Sequence, residues 1–425
     1  MTVGENSLSA GANGEKPSVL LSRTSTNQNT RNVLRSLVEQ EMLAEFWTTF
    51  AWNSDSAWNR LLPLGLRAQL ARRSYSEAPA SRVKAVPWRE VLRLCARGTL
   101  FENLLCSGER PFSVIGIGLD FDARVAQRLR ELRPDLVYAY DGAALETFRE
   151  ARKLGITSVC ELTSSYWPWA RKLLAEEAEH NPDFANLLPS LADSPAYLEC
   201  REEELRLADY VFVPSQHVLR TLAGVVPEEK IRVVPYGAPE VRPRTGFNLD
   251  FSRPLKVLFV GNLSQNKGIS YLLDAMDMLG PRAELTLVGR KLSPNVRIDG
   301  ACRRWKWFES LSNTQVLQLM QESDVFVLPS LSDGWGLVCT EALACGLPVI
   351  VTPNVGMSQI VRDTFDGFIV PIRRADAIAD RLEVLYRDRE KQAEMSRQAQ
   401  ATAAANTWQN YRTVWAQTLT DLEWQ

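Results

Sequence analysis

Three observations in this sequence predict an α/β protein made of two successive βαβ domains. The apolar run Val325-Phe326-Val327-Leu328 reads as a parallel strand covered on both faces, stopped by Pro329 and followed by a glycine-bearing loop and a helix-spaced segment. The same succession recurs earlier, from an apolar run at 255–260 through the loop 261–268 to a helix ending near Leu279. Between this half and a preceding series of short apolar runs lies the Pro-, Gly- and Arg-rich stretch 237–254, which reads as a linker.

Length and composition bound what these domains can be. The 425 residues allow two or three domains, and 45% hydrophobic with 24% charged residues is the balance of a soluble globular protein. A net charge of −2 argues against a general nucleic-acid binder. The seven cysteines form no C-x-x-C pair and sit mostly in apolar runs, which predicts reduced thiols in a cytoplasmic protein. Residues 1–17 are polar and glycine-bearing and read as a disordered tail, and no run reaches the ~20 apolar residues of a membrane span.

The chemistry gathers around the helix that follows the run at 325–328. Gly334 and Gly336 allow a tight turn, and the helix N-terminus just beyond them is an anion site by virtue of its unpaired amides and dipole. Asp333 lies before the turn and Glu341 about one turn into the helix. Amides suit a diphosphate, and flanking carboxylates accept hydrogen bonds from vicinal hydroxyls, so the pattern suggests a nucleotide-sugar. The plainer alternative is an ordinary βα loop with a solvated Asp and a capping Glu.

Asp333-Gly334-Trp335-Gly336-Leu337, three residues, then Glu341 resembles the acidic-x7-Glu motif of the retaining GT-B glycosyltransferases of family 4, the glycosyl transferases group 1. The family's usual form is Glu-Gly-Phe-Gly-Leu, so the first acid is shortened to Asp here. The resemblance implies that Glu341 holds the donor's ribose hydroxyls. It gives Asp333, Gly334 and the amides of Trp335, Gly336 and Leu337 to the donor sugar and phosphate. The loop 261–268 resembles the family's Gly-Arg-Leu-x-x-x-Lys-Gly phosphate loop, which implies a donor site with Gly261, Asn262 in place of the Arg, and Lys267 on the diphosphate. Arg290, at the end of the next predicted strand, is the candidate for the missing cation. Lys267, Asp333 and Glu341 are thereby the catalytic expectations.

The preceding half follows the same family in order. A strand at 18–22 leads into the polar loop Arg23-Thr24-Ser25-Thr26-Asn27-Gln28-Asn29, where the family carries Gly-Gly, then a helix from about 32 to 43 and a strand at 45–52. Residues 58–110 hold ten Lys or Arg against four acids, a local +6, interleaved with leucines and Trp88. Such a segment predicts docking on anionic lipid, or else a solvated face with partners elsewhere in the fold. A strand is expected at 111–117, with Asp120 and Asp122 as cap residues of a helix at 123–132 and not as a metal pair. The run Tyr138-Ala139-Tyr140-Asp141 stands where family members often have His-Ala-His-Asp, so Tyr140 replaces a histidine that lies against the donor sugar. Asn27, Tyr140 and Asp141 are expected on the acceptor and sugar side. The only histidines, His180 and His217, are expected respectively on the surface and in local hydrogen bonding near a helix start.

These readings divide the chain into a tail at 1–17, an acceptor-side Rossmann-like domain at 18–240, a linker at 241–254 and a donor-binding Rossmann-like domain at 255–396. A final helical segment at 397–425 should cross back onto the first domain. The resemblance implies a GT-B α/β fold with its cleft between the domains. It implies an enzyme that moves a sugar, with retention, from a nucleoside-diphosphate sugar to a hydroxyl of a glycan, lipid-linked or small-molecule acceptor. No metal, cofactor or nucleic-acid partner is expected beyond the donor substrate. Cytoplasmic placement, with peripheral contact to an anionic membrane, is the expected location. A non-catalytic nucleotide-sugar-binding protein, or a GT-B epimerase or hydrolase, are the alternatives.

Overall fold

The computed structural model describes residues 16–52, 70, 73–96, 110–242, 244, 246, 250 and 252–424. The expected tail falls almost wholly outside them, as does much of the basic segment 58–110.

Two parallel sheets carry the chain. The first takes β1 (Val19–Ser22), β2 (Leu43–Thr48), β3 (Val83–Ala85), β4 (Leu136–Tyr140), β5 (Thr157–Glu161), β6 (Tyr210–Val213) and β7 (Ile231–Val233), in the order β3-β2-β1-β4-β5-β6-β7. The second takes β8 (Leu255–Val260), β9 (Ala283–Val288), β10 (Lys306–Phe308), β11 (Val325–Leu328), β12 (Val349–Val351) and β13 (Gly367–Ile369), in the order β10-β9-β8-β11-β12-β13. Every residue of β4, β5 and β11 is buried, as central strands of parallel sheets covered on both faces require. Strand order reverses between β1 and β4 and again between β8 and β11. Crevices outside the carboxyl ends at such reversals are where open α/β sheets bind ligands.

The final helix, Trp408–Thr420, crosses back onto the first sheet's layer as expected. Tyr411 donates its hydroxyl to Asn29 at 3.0 Å, and Trp415, fully buried, donates its indole N–H to the Tyr138 hydroxyl at 3.1 Å. Beneath them the buried Glu161 carboxylate takes hydrogen bonds from Tyr138, Tyr236 and Asn29. Burial pushes that carboxyl above its ordinary range, and the three donors pull it back down. A Cβ on Gly237 would lie 2.4 Å from the Trp408 nitrogen, so only glycine lets the end of the first domain meet the returning helix.

Several local expectations are corrected. The run 111–117 is no strand: a helix spans Val114–Leu132, started by the Ser113 hydroxyl accepting the Gly116 N–H at 2.9 Å. Its buried residues Ile117, Phe121, Val125 and Leu129 recur every four positions, and that helical period outweighs the β-branched start. Asp122 therefore sits inside its own helix, not at its cap. It caps a different helix, Leu145–Leu154, by accepting the backbone N–H groups of Glu146 at 2.7 Å and Thr147 at 2.9 Å. The first helix begins at Gln28, four residues early, because Asn27 caps it through the Thr30 N–H.

Candidate active site

The second sheet supplies the loops expected to face a donor. After β8 the chain passes Gly261 and enters a single tight turn, Gln265–Lys267, closed by Gly268 in the left-handed region at φ 68°. A Cβ on Gly268 would come within 2.0 Å of the Pro329 carbonyl, so this glycine lets the turn after β8 press against the end of β11. That contact brings Lys267 to Asp333, and the ammonium and carboxylate form an ion pair. The amides of Trp335, Gly336 and Leu337 follow at the N-terminus of the Leu337–Ala344 helix and donate to no acceptor among the described residues. A cation and three free N–H groups at neighbouring strand ends form an anion site.

The two acids of the motif stand in different surroundings. Asp333 lines a cavity of ≈ 280 Å³ between the two sheets, with Lys267, Gly334, Asn266 and the run Thr163-Ser164-Ser165 that follows β5. Glu341 lies a turn further along, half-buried, and takes only the Asn313 side-chain amide at 3.2 Å. Burial raises its carboxyl, and the Asn313 hydrogen bond lowers it. A carboxylate with one weak donor has room for the hydroxyls of a ligand.

Two of the three acceptor-side expectations, Tyr140 and Asp141, lie at the other strand-order reversal. A cavity of ≈ 640 Å³ opens at the carboxyl ends of β1 and β4, lined by Ser22, Arg23, Tyr140, Asp141, Tyr197 and Arg201 among others. The Arg23 guanidinium lies 3.8 Å from the centre of the Tyr140 ring. Asp141 is ion-paired with Arg201, and the buried Glu204 carboxylate accepts the N–H groups of Gly142 at 2.6 Å and Ala144 at 2.8 Å, fixing the loop. Burial pushes Glu204 up to about 8, with the Asp141 and Asp122 charges adding to it. Thr163, Ser164, Asp193 and Arg201 line both cavities, so the two adjoin in one cleft.

His217 lies in the first turn of the helix Gln216–Thr221, which Ser215 caps, and its bonds reach beyond that helix. Its Nε2 meets the Ser165 hydroxyl at 2.9 Å, which in turn meets the Ser332 hydroxyl at 2.7 Å, a chain running from one domain to the residue beside Asp333. Burial depresses the imidazole to about 4, so it is neutral near pH 7 and committed to this link.

The structure thus joins Lys267, Asp333 and Gly334 in one cavity and Tyr140 and Asp141 in the next, with Glu341 along the same helix. It does not bring Asn262 or Arg290 to either cavity wall: both side chains are exposed, and Arg290 makes no ion pair among the described residues. Gly261 serves packing, because its carbonyl lies where a Cβ on Gly289 would fall, at 1.8 Å. Asn27 is exposed and spends its side-chain oxygen on Thr30. Trp335 is buried and packs near Tyr236, so its ring is not offered to the cleft. Sequence reasoning missed Arg23, Arg201 and the run Thr163-Ser164-Ser165. The last had a signal, a polar run directly after a strand; Arg201, midway along a helix, had none.

The comparisons with known proteins agree with this architecture. A family model described as glycosyl transferases group 1 matches residues 245–402, and one described as glycosyl transferase 4-like domain matches residues 30–237. The chain belongs to the GT-B glycosyltransferases. It is 27% identical over 248 residues to the D-inositol 3-phosphate glycosyltransferase of Arthrobacter sp. (strain FB24), covering 53% of this chain and 59% of that protein. It is 24% identical over 159 residues to the N,N'-diacetylbacillosaminyl-diphospho-undecaprenol alpha-1,3-N-acetylgalactosaminyltransferase of Campylobacter jejuni, covering 36% of this chain and 41% of that protein. Less than two thirds of either relative is spanned. Among solved structures, sucrose-phosphate synthase from Thermosynechococcus elongatus superposes with TM-score 0.68 at 17% identity, over 95% of this chain and 98% of that one. Anabaena HepE in complex with UDP and glucose superposes with TM-score 0.64 at 19% identity, over 96% of this chain and 100% of that one. At these identities the superpositions establish the fold.

Proposed function

We propose that this protein is a retaining glycosyltransferase that moves a sugar from a nucleoside-diphosphate sugar to an acceptor hydroxyl. The observation that carries the reading is Lys267 in the cavity between the sheets, ion-paired with Asp333 where the turn after β8 meets the end of β11, with the unbonded amides of Trp335, Gly336 and Leu337 next along the chain. The donor's diphosphate sits on these groups, Glu341 takes the ribose hydroxyls, and Asp333 takes a sugar hydroxyl. As the glycosidic bond breaks, charge builds on the leaving diphosphate. Lys267 and the fixed amides stabilise it there without reorganising. The acceptor enters from the cavity of Arg23, Tyr140 and Asp141, which adjoins the donor side. A phosphate oxygen of the donor takes the acceptor's proton, a route that needs no histidine. His217, buried, neutral and already bonded, suits no epimerase or hydrolase role. A thermal-shift screen over UDP-, GDP- and ADP-sugars tests donor binding, and nucleoside diphosphate released only when acceptor is present tests transfer. Steady release without acceptor would favour a hydrolase, and binding without release a non-catalytic role.

Peripheral membrane docking belongs to the same proposal. Among the described residues, no helix is long and apolar enough to cross a membrane. The helix Pro87–Ala96 exposes Trp88, Val91 and Leu92 at one-face spacing, which supports docking through apolar contact. The basic residues argue less: Arg93 on this helix and Arg73 before it pair with Glu90, and Arg89 pairs with Asp120. Vesicle co-sedimentation should therefore fall in the Trp88→Ser and Leu92→Ser variants, and equal sedimentation would leave a protein that works on soluble acceptors. Cys160, Cys200, Cys302, Cys339 and Cys345 are free thiols, which supports a reducing, cytoplasmic setting.

A further inference from the structure

The cleft is bridged by one charged group that the donor and acceptor sites do not use. Glu177, on the helix Trp167–His180 of the first domain, is fully buried against the second domain. Its Oε1 accepts the Gln265 side-chain amide and the Tyr271 hydroxyl, each at 2.7 Å, and its Oε2 accepts the Arg373 Nε at 2.7 Å. All three donors come from the second domain, and Arg373 reaches back to the Leu173 carbonyl at 3.1 Å. A second link runs beside it, from the Asn181 amide to the Ser270 hydroxyl at 2.9 Å. Arg373 adopts φ 62°, a region that non-glycine residues seldom occupy. Such backbone persists where the surroundings over-determine it.

What Glu177 touches decides its meaning. Gln265 is the first residue of the turn that ends in Lys267, and it is fully buried, bonded to Glu177 and Ser270. The carboxylate of one domain thus grips the turn that presents the other domain's phosphate-facing cation. Separating the domains exposes this carboxylate to water and removes the charged acceptor that holds the Gln265 side chain. We infer that Glu177 is a cross-domain latch: it holds the cleft closed and, through Gln265, positions Lys267 for the donor's diphosphate. The positioning half of this inference rests on the donor site proposed above, and the latching half does not.

The test compares the full chain with Glu177→Gln, which keeps shape and removes the charge facing Arg373. Solution scattering reads closure, and calorimetry with UDP, GDP and ADP reads the donor loop. The variant should show a larger radius of gyration than the unaltered chain. If the closed fraction falls to about a tenth, nucleotide affinity should fall about tenfold. An unchanged scattering profile, or unchanged affinity in an expanded variant, overturns the inference. If the unaltered chain binds none of the three nucleotides, the donor reading fails, and scattering alone judges the latch. Should Glu177→Gln not fold, Tyr271→Phe and Arg373→Gln each remove a single donor, and the same two measurements on them decide.

Discussion

Lys267 and Asp333 are ion-paired at the cavity between the domains, one from the turn after β8 and the other from the turn after β11. Each is the other's placeholder. On the donor site proposed above, a diphosphate draws the ammonium away from the carboxylate, and a sugar hydroxyl then finds the carboxylate free. Asp333→Asn removes the competing anion, so free nucleoside diphosphate should bind more tightly. A partly exposed pair is worth about 0.5–1 kcal/mol, which corresponds to about a two- to five-fold gain. Transfer should fall at the same time, because the sugar hydroxyl meets a neutral amide oxygen in place of a charged acceptor. Weaker nucleoside-diphosphate binding in calorimetry would show that Asp333 supports the phosphate site instead of opposing it.

Lys267→Ala should depress turnover more than donor binding. The charge on the leaving diphosphate is larger in the transition state than in the bound donor, so a fixed cation is worth most there. Loss of one such group typically costs about 100-fold or more in kcat. Steady-state kinetics that place the whole effect in KM would contradict this role.

How much of this was legible in the sequence follows from the range of the interactions involved. Lys267, Asp333, Glu341 and the free amides lie within single strand–loop–helix steps, so local spacing locates them. Arg201 meets Asp141 from 60 residues away, and Glu177 meets Arg373 from 196. No local pattern marks either pair. The misread stretch 111–117 failed for a related reason: its β-branched residues suit a strand, and only the four-residue period extending to Leu129 reveals a helix. Asp122 looked like the cap of the nearest helix and caps one that begins 23 residues later in the chain, at Leu145, through the N–H groups of Glu146 and Thr147. Asn262 and Arg290 were assigned by motif position, and position alone does not turn a side chain toward the cleft.

Chelation tests the Asp120-x-Asp122 pair. Asp120 is engaged by Arg89 and Arg124, and both Asp122 oxygens accept backbone N–H groups of the neighbouring helix. A divalent ion would have to displace the two guanidinium groups from Asp120 and the helix-capping N–H groups from Asp122. Transfer should survive EDTA. Asp122→Ala, which strips the cap from the Leu145–Leu154 helix, should instead lower stability by about 1–2 kcal/mol in urea unfolding. Loss of activity on chelation, restored by Mg²⁺ or Mn²⁺, would place a metal at the site.

Glu341→Ala should weaken nucleotide binding by about 1–3 kcal/mol, since ribose hydroxyls would be buried without an acceptor. The effect should appear equally with nucleoside diphosphate and nucleotide-sugar, because both carry the ribose. Calorimetry showing a loss for the sugar donor alone would move Glu341 from ribose to sugar.

The His217–Ser165–Ser332 chain predicts a pH dependence with a definite sign. Burial holds the folded imidazole down to about 4, and the Arg220 charge adds to it, whereas an unfolded histidine titrates near about 6.5. Above about pH 6.5 both states are neutral and the group contributes no pH dependence. As pH falls from there toward 4, the unfolded chain takes a proton that the folded chain refuses, so stability is lost across that window. Between pH 7 and pH 5 the loss is on the order of 2 kcal/mol, from about 1.4 kcal/mol for each pH unit below the unfolded pKa. Urea unfolding at the two pH values should show the unaltered chain losing about that much more than His217→Gln, which keeps a hydrogen-bonding amide and cannot titrate. Other carboxylates titrate equally in both proteins, so the difference isolates the imidazole. Equal losses would mean that His217 is protonated in the folded state and that the link to Ser332 is not the neutral one described.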